Sequence, residues 1–293
     1  MTLRLAHLSD VHFGGEDKGA AWAAVEAVQA YAPDLVVVTG DLTLNGKPAE
    51  FKAARDWLAR LPQPRLVTPG NHDTPYWNPV LRVATPFQRY QRYIGRPDSD
   101  RHDGPGLLAL AVNSARGPQM RLDWSKGSLN PEQAAEAGAA FTQRSQAFKV
   151  FACHHPLVEP PGLPVSGAVA HGPERAATLA RAGADLILTG HVHKPFAVSV
   201  AVDDRIAYGV GGGTLSVRTR HFPASYAVLE IDETTIQVSV QAWRGAAFEL
   251  ASAWTLPRRQ LPRGPAMPLP EADRRMGAHD DGRAFWLPSP PGG

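Results

Sequence analysis

Cysteine is almost absent from this chain. Cys153 is the single one in 293 residues, which excludes an intramolecular disulfide. A chain without that bond suits a reducing compartment. No run approaches the roughly 18 apolar residues of a membrane-spanning helix, and Met1-Thr2-Leu3-Arg4-Leu5 carries no apolar signal region. The expected location is therefore the cytoplasm. An excess of either charge is missing too: 30 Lys and Arg stand against 28 Asp and Glu, a net of +2. That near-neutrality excludes the strongly basic face of a dedicated nucleic-acid binder, and no stable nucleic-acid partner is expected. What remains is an ordinary globular composition, 43% apolar and 20% charged. The length suffices to bury a full core, as one large α/β domain or two small ones.

The first seventy residues alternate strand and helix signals. Leu3–Leu8 reads as a buried strand and Gly14–Gly19 as a loop. Ala20–Tyr31 is Ala-rich with Trp22, Val25 and Val28 recurring every third residue, a helical spacing. Leu35–Thr39 is an unbroken apolar run, the pattern of a parallel strand covered on both faces. Residues 48–61 predict a second helix, with Pro48 at its start and Phe51, Ala54, Trp57, Leu58 and Leu61 on one stripe. Arg65–Thr68 is the third strand. Such β-α-β units place parallel strands side by side.

Residues 74–106 break the rhythm and read as an insertion around one short helix, Pro86–Ile94, with Thr85 as its cap and Gly95 at its end. Leu107–Val112 returns to strand. Residues 130–147 form a helix that Asn130, Pro131 and Gln133 open. Lys149–Cys153 is a strand, Pro156–Gly172 a loop, Pro173–Ala182 a helix closed by Gly183, and Asp185–Leu188 a strand. Ala197–Val202, Ile206–Val210, Tyr226–Ile231 and Thr235–Trp243 are short and β-rich, spaced for hairpins. Residues 1–256 therefore read as one domain and 257–293 as a Pro- and Arg-rich, irregular tail.

The chemistry gathers where strands stop. Leu3–Leu8 ends in Asp10-Val11-His12, and Leu35–Val38 in Thr39-Gly40-Asp41. The third strand ends in Gly70-Asn71-His72-Asp73, the apolar run Val150–Cys153 in His154-His155, and Leu186–Leu188 in Gly190-His191-Val192-His193. Each string alone is one that chance supplies; five in this order, each at a strand end, are not. In an open α/β sheet, loops at the carboxyl ends of strands converge on the ligand. Imidazole, carboxylate and amide donors suit Mn, Fe or Zn, and the lone Cys153 rules out a thiolate zinc site. The donors are too many for one ion. Two divalent ions roughly 3.5–4 Å apart, sharing one carboxylate, would use them all and clamp a phosphoryl group.

These blocks resemble the calcineurin-like metallophosphoesterases, whose signature runs D-x-H, G-D, G-N-H-D/E, H and G-H-x-H. The resemblance covers residues 3–200 and extends weakly to about 245. It implies an α/β fold, a four-layer α/β/β/α sandwich of two mixed β-sheets flanked by helices. It also implies that Asp10, His12 and His193 hold one metal, that Asn71, His154 and His191 hold the other, and that Asp41 bridges them. By the same resemblance His72 is no ligand. It faces the substrate, donates to a phosphoryl oxygen or to the leaving group and is oriented by Asp73, while hydroxide held by the metals attacks phosphorus in line. Of the adjacent His154 and His155, one should turn away on an extended stretch.

Thr39-Gly40-Asp41-Leu42-Thr43 with Gly46, then Glu50-Phe51, and the block His154-His155-Pro156 are similar to bacterial class III cyclic-nucleotide phosphodiesterases and glycerophosphodiesterases. The expected substrate is a small phosphodiester. Alternatives are a lipid pyrophosphate at a membrane surface, as in UDP-diacylglucosamine hydrolases, and a phosphomonoester. A non-catalytic scaffold would have shed several ligands, and all are present. The stretch 74–106 carries Arg82, Arg89, Arg92, Arg96 and Arg101 among Tyr76, Trp77, Tyr90 and Tyr93. It reads as a cap whose arginines meet phosphate and whose rings stack on a base or lipid, or else as a surface helix with a solvated basic face. This insertion and the tail are the segments through which a homodimer could form. Gly211-Gly212-Gly213-Thr214 reads either as a close approach to the site or as a plain turn.

Overall fold

The computed structural model of the chain describes residues 2–120, 123–163, 166–167, 169–258 and the backbone of 283–286. In chain order its elements open with β1 (Leu3–Leu8), α1 (Lys18–Tyr31), β2 (Leu35–Thr39), α2 (Pro48–Leu58) and β3 (Arg65–Thr68). Next come α3 (Pro79–Ala84), α4 (Gln88–Tyr93), β4 (Ser99–Gly104), β5 (Leu107–Val112), α5 (Pro131–Gln143), β6 (Phe148–Ala152), α6 (Gly172–Arg181) and β7 (Leu186–Thr189). The remainder is all β: β8 (Phe196–Val202), β9 (Arg205–Gly211), β10 (Ser225–Ile231), β11 (Thr235–Trp243), β12 (Phe248–Pro257) and β13 (Arg283–Trp286).

Two mixed sheets result. One runs β12-β11-β10-β1-β2-β3, the other β13-β8-β9-β7-β6-β5-β4. In the first, β1, β2 and β3 are parallel and β10 joins β1 antiparallel. In the second, β5, β6, β7 and β9 are parallel. Side-chain alternation along each strand sorts residues between layers. Leu5, Leu35 and Val37 face Ala109, Val150 and Leu188 across the gap between the sheets. Ala6, Leu8, Val36 and Val38 turn the other way, onto α1 and α2. Leu108, Phe151 and Ile187 turn onto α5 and α6. The fold is the four-layer α/β/β/α sandwich, with both inner strands apolar on each face as their unbroken runs require.

Several boundaries differ from expectation for local reasons. Helix α1 begins two residues earlier, because the Asp17 carboxylate accepts from the Ala20 N–H and caps it. Its buried face is Ala20, Ala21, Ala24, Val25 and Val28, and Trp22 lies outside. Small alanines let the helix sit close to the sheet. The helix expected over Pro86–Ile94 is the shorter α4, and a second, unexpected helix, α3, precedes it. Asn78 caps α3, which ends at Ala84, since Pro86 disfavours helical backbone at Thr85. Helix α4 then starts at Gln88 behind Phe87, not behind Thr85. Strand β4 is an edge strand of sequence SDRHDG with no apolar face, so no hydrophobic period marked it. In the segment 257–293, expected to be irregular, Arg283–Trp286 pair with β8; residues 259–282 and 287–293 lie outside the described residues.

One buried histidine gives a test of the core. His7 sits on β1, fully buried, its Nε2 2.9 Å from the Thr39 hydroxyl on β2, while Nδ1 has no partner. Burial pushes its pKa down from 6.5 to about 4, against the pull of Asp10. The unfolded chain therefore binds a proton near pH 6.5 that the folded chain refuses until about 4, and stability falls as pH drops through that window. His7→Gln keeps the partner and removes the titration. Relative to the wild type, this variant should gain about 2 kcal/mol of unfolding free energy between pH 7 and pH 5 by urea denaturation. Parallel curves for the two proteins would show that His7 titrates normally.

Candidate metal centre

The carboxyl ends of β1, β2 and β3 in one sheet and of β6 and β7 in the other meet at one edge of the sandwich. The turns beyond them bond to one another. The Asp10 N–H donates to the Gly40 carbonyl at 3.0 Å, the His12 N–H to that of Asp41 at 3.0 Å, and the Gly190 N–H to that of His154 at 2.8 Å. Asp10, His12, Asp41, His191 and His193 all have positive φ, between 50° and 69°. Non-glycine residues avoid this left-handed region, and such strain concentrates at functional sites. Here it swings five side chains off the strand direction and into a common space. Gly70 and Gly190 allow the turns to close up: a Cβ at 70 would collide with Asp41, and one at 190 with Ser9 and Asp10.

The expected ligands form one buried cluster. His193 Nε2 lies 3.1 Å from Asp10 Oδ1 and 3.1 Å from His12 Nε2. On the other side, Asn71 Oδ1 lies 3.2 Å from His154 Nε2 and 3.0 Å from His191 Nδ1. Between them, Asp41 Oδ2 is 3.7 Å from His12 Nε2 and 3.3 Å from His154 Nε2. The donors thus lie in two groups with Asp41 between them. The unused nitrogens orient the rings, as they do for metal-bound histidines. His154 Nδ1 meets the Thr39 carbonyl at 2.7 Å, and His193 Nδ1 that of Arg218 at 2.6 Å.

These residues fit divalent ions. Asp10 Oδ1 is buried with no hydrogen-bond partner, and two pairs of ring nitrogens stand only 3.1 to 3.3 Å apart. A cation bound at about 2.0–2.2 Å by each donor accounts for such spacings. The titration pattern agrees. Burial pushes the Asp10 and Asp41 carboxylates up, but the neighbouring histidines pull harder and hold both well below the usual range. Burial lowers His154, but Asp41 draws it up further, to about 9. The buried carboxylates therefore demand positive charge, and a divalent ion meets that demand better than one proton on His154.

His155 turns away, as an extended pair requires. Its Nε2 donates to the Ser125 carbonyl at 2.8 Å and its Nδ1 pairs with Ser114 Oγ at 2.9 Å, so neither nitrogen is left for a metal. Burial, then the charge of His154, pushes it down to about 3.

His72 corrects one expectation. Asp73 does not touch its ring. The Asp73 carboxylate instead accepts from the N–H groups of Leu42, Thr43 and Gly70 and from the Thr43 hydroxyl, tying the second turn to the third. Burial and then Asp41 push this carboxyl up to about 7, against those donors. The ring of His72 is held by the Leu44 carbonyl, 2.6 Å from Nδ1, and stacks on Tyr76 at 5.4 Å. Its Nε2 accepts from Arg218 Nη1 at 3.1 Å. A short acidic neighbour on a 3-10 turn faces the backbone, while the ring reaches across to the next loop.

A cleft of about 670 Å³ opens over the cluster, lined by Asp41, Asn71, His72, His191 and His193 and by residues the sequence did not mark: Trp124, Lys126, Arg218 and Arg220. Of the stretch 74–106, Tyr76 and Arg82 line it. Arg89 instead bonds the Gly46 carbonyl, Arg92 lies over Tyr93, and Arg101 pairs with Asp103. Tyr90 and Tyr93 pack on Phe51 in the core. The glycine run after β9 does approach the site closely. A Cβ at Gly212 would meet Ser9 and His7 at 3.1–3.3 Å, and the Thr214 hydroxyl donates to the Asp10 carbonyl at 2.6 Å.

Comparison with known proteins gives the family. The family model of the calcineurin-like phosphoesterases matches residues 3–195. A probable cyclic nucleotide phosphodiesterase of Synechococcus sp. is 27% identical over 208 residues, 67% of this chain and 75% of that protein. A glycerophosphodiester phosphodiesterase of Enterobacter lignolyticus is 40% identical over 80 residues, 24% of this chain and only 29% of that protein. Two solved structures share the fold. A purple acid phosphatase from yellow lupin has TM-score 0.61 and 15% identity over 88% of this chain and 54% of its own. A dimetal phosphatase from Danio rerio has TM-score 0.60 and 13% identity over 87% and 98%. The family match takes in all five polar strand ends, and the chain belongs to the calcineurin-like phosphoesterases as a phosphoric ester hydrolase.

Proposed function

We propose that this hydrolase is a dinuclear-metal phosphodiesterase acting on small phosphodiesters of the cyclic-nucleotide or glycerophosphodiester kind. The observation that carries this reading is the pair of donor groups joined at Asp41, opening into a cleft lined by Arg82, Lys126, Arg218, Arg220, Tyr76 and Trp124. At about 670 Å³ the cleft falls in the range of small-molecule sites, with room for substituents on both sides of a phosphate. Asp10, His12 and His193 would hold one ion, Asn71, His154 and His191 the second, and Asp41 both. When bound, Mn, Fe or Zn ions supply Lewis-acid charge to the phosphoryl oxygens and a nucleophile at neutral pH. His72 faces the cleft with Nε2; once Arg218 is drawn off it, this nitrogen can take a proton from solvent and pass it to the leaving oxygen. The names of the two phosphodiesterase relatives support the diester class.

The catalytic unit of this proposal is residues 1–256, with 74–106 helping to select substrate through Tyr76 and Arg82. Its setting is the cytoplasm, supported by the one thiol, buried and pushed up by that burial to about 12. No helix among the described residues is long and apolar enough to cross a membrane. A second reading, an amphiphilic or lipid phosphoester or pyrophosphate, is favoured by one feature. Beside Tyr76 and Arg82, the side chains of Trp77, Val80 and Val83 stand exposed.

Metal analysis of the purified protein should find about two transition-metal ions per chain. A screen of bis(p-nitrophenyl) phosphate, p-nitrophenyl phosphate, cyclic AMP and glycerophosphodiesters should show the diesters cleaved fastest and chelator blocking all turnover. A metal-free protein indifferent to chelator ends the proposal. Turnover that needs detergent or lipid vesicles moves the substrate to the second reading.

A further inference from the structure

The loop after β9 is the part of the cleft that the family's signature blocks do not include. It is anchored on several sides. Beyond the Thr214 hydroxyl on the Asp10 carbonyl, the Val217 N–H donates to the Gly15 carbonyl at 3.1 Å, and the Ser225 N–H to that of Thr214 at 2.7 Å. The Arg218 N–H donates to Ser216 Oγ at 3.2 Å. At its tip, Arg220 and His221 both have positive φ, 45° and 67°. Two successive non-glycine residues in that region are costly, and a costly tip on a fixed loop needs a reason.

The reason lies in what the tip presents. Arg218 serves the site twice. Its carbonyl accepts from His193 Nδ1 at 2.6 Å, which leaves Nε2 as the lone pair facing Asp10 and His12. Its guanidinium reaches 146 residues back to His72 Nε2 at 3.1 Å. Arg220 Nη1 donates to the carbonyl of His191 at 3.1 Å. Both arginines are half-buried and both line the cleft over the donor cluster. Each guanidinium carries five N–H donors, of which these contacts use one. The rest point to an anion.

We propose that Arg218 and Arg220 are the phosphoryl-binding residues of this enzyme, a guanidinium pair that grips the non-bridging oxygens of the substrate phosphate. Arg218 also positions His72 until that phosphate arrives. The proposal rests on the dinuclear phosphodiesterase reading for its substrate and on the loop geometry for its residues. Planar guanidinium groups suit phosphate oxygens through paired, charge-assisted hydrogen bonds, which an ammonium group cannot copy. As phosphate takes the Arg218 N–H groups, His72 Nε2 loses its donor, takes a proton from solvent in its place and can pass that proton to the leaving oxygen.

The test uses the metal-loaded protein with inorganic phosphate as probe. Calorimetry should show phosphate affinity falling about ten- to hundredfold in Arg218→Ala and in Arg220→Ala. Arg218→Lys should recover only part of it. Metal content should stay at the wild-type level in all three, because the contact to His193 comes from a backbone carbonyl that substitution keeps. With bis(p-nitrophenyl) phosphate, KM should rise in each variant. Wild-type phosphate affinity in both alanine variants overturns the proposal. So does loss of metal in step with loss of phosphate, which would make the loop a structural prop. If instead the wild type holds metal and binds phosphate through the pair but cleaves no diester, the diester reading fails while the arginine assignment stands.

Discussion

Asp41→Ala should abolish turnover and strip most of the metal from a protein that still folds. Asp41 is the one charged donor that both halves of the cluster share, 3.7 Å from His12 on one side and 3.3 Å from His154 on the other. Without it, Asp10 is the only carboxylate left in the cluster to offset divalent charge, and it sits in one half. Loss of outer-shell contacts to a metal ligand lowers affinity about 10- to 100-fold, and loss of a shared ligand should exceed that. The fold tolerates the change better than the site does. Asp41 has φ of 50°, where alanine costs about 1–2 kcal/mol, a fraction of a typical domain's stability. Asp41→Asn separates charge from shape. It keeps an acceptor for the His72 N–H, which now donates to Asp41 Oδ1 at 2.8 Å, and removes only the anion. Both variants should read as metal-poor by elemental analysis and inactive on bis(p-nitrophenyl) phosphate, with melting temperatures close to that of chelated wild type. An Asp41→Asn protein that keeps two ions and turns over would mean that the halves are not joined through this carboxylate.

The parts of this site that could be read in advance are those coded locally. An apolar run that stops at a His, Asp or Asn marks a strand end, and five such marks name the candidate ligands that the fold gathers at one edge. Helix starts were legible for the same reason: Asn130 and Gln133 form the reciprocal cap that their spacing implies. What stayed hidden depends on contacts distant in sequence. Strand β9 lies between β7 and β8 in the sheet, and only that arrangement carries the loop after it across the end of β1. Arg218 and Arg220 therefore face the cleft, while most of the arginines of 74–106 do not. Nothing local tells these two sets apart, since both are basic residues in irregular stretches. An edge strand such as β4 stays hidden because it takes hydrogen bonds from its neighbour β5 and has no apolar face of its own. The role given to Asp73 failed through the same locality. Adjacent in sequence, it seemed the natural partner of His72, yet four donors from two loops claim its oxygens.

His72→Ala is the second large effect, and its signature is a split between chemistry and metal. Both ring nitrogens are engaged away from the cluster, Nδ1 by the Leu44 carbonyl and Nε2 by Arg218. The ring meets His12 edge-on, with centroids 4.8 Å apart, as a neighbour of a ligand. Turnover should fall by about 10²–10⁴, the usual worth of a positioned acid or base. Metal content should remain near that of the wild type. The fall should be steep for alkyl diesters, whose alkoxide leaving group needs a proton. It should be shallow for bis(p-nitrophenyl) phosphate, whose leaving group departs without one. An equal fall for both substrates would assign His72 to binding instead. Loss of an ion would place it among the ligands, since His12, Asp41 and His72 can bring three donor atoms within 4.8 Å of one another. The leaving-group dependence is therefore the decisive readout. It follows from the one feature that distinguishes His72 from every other histidine of the cluster: its Nε2 meets a guanidinium at the cleft wall, where a substrate phosphate would compete for the same donor.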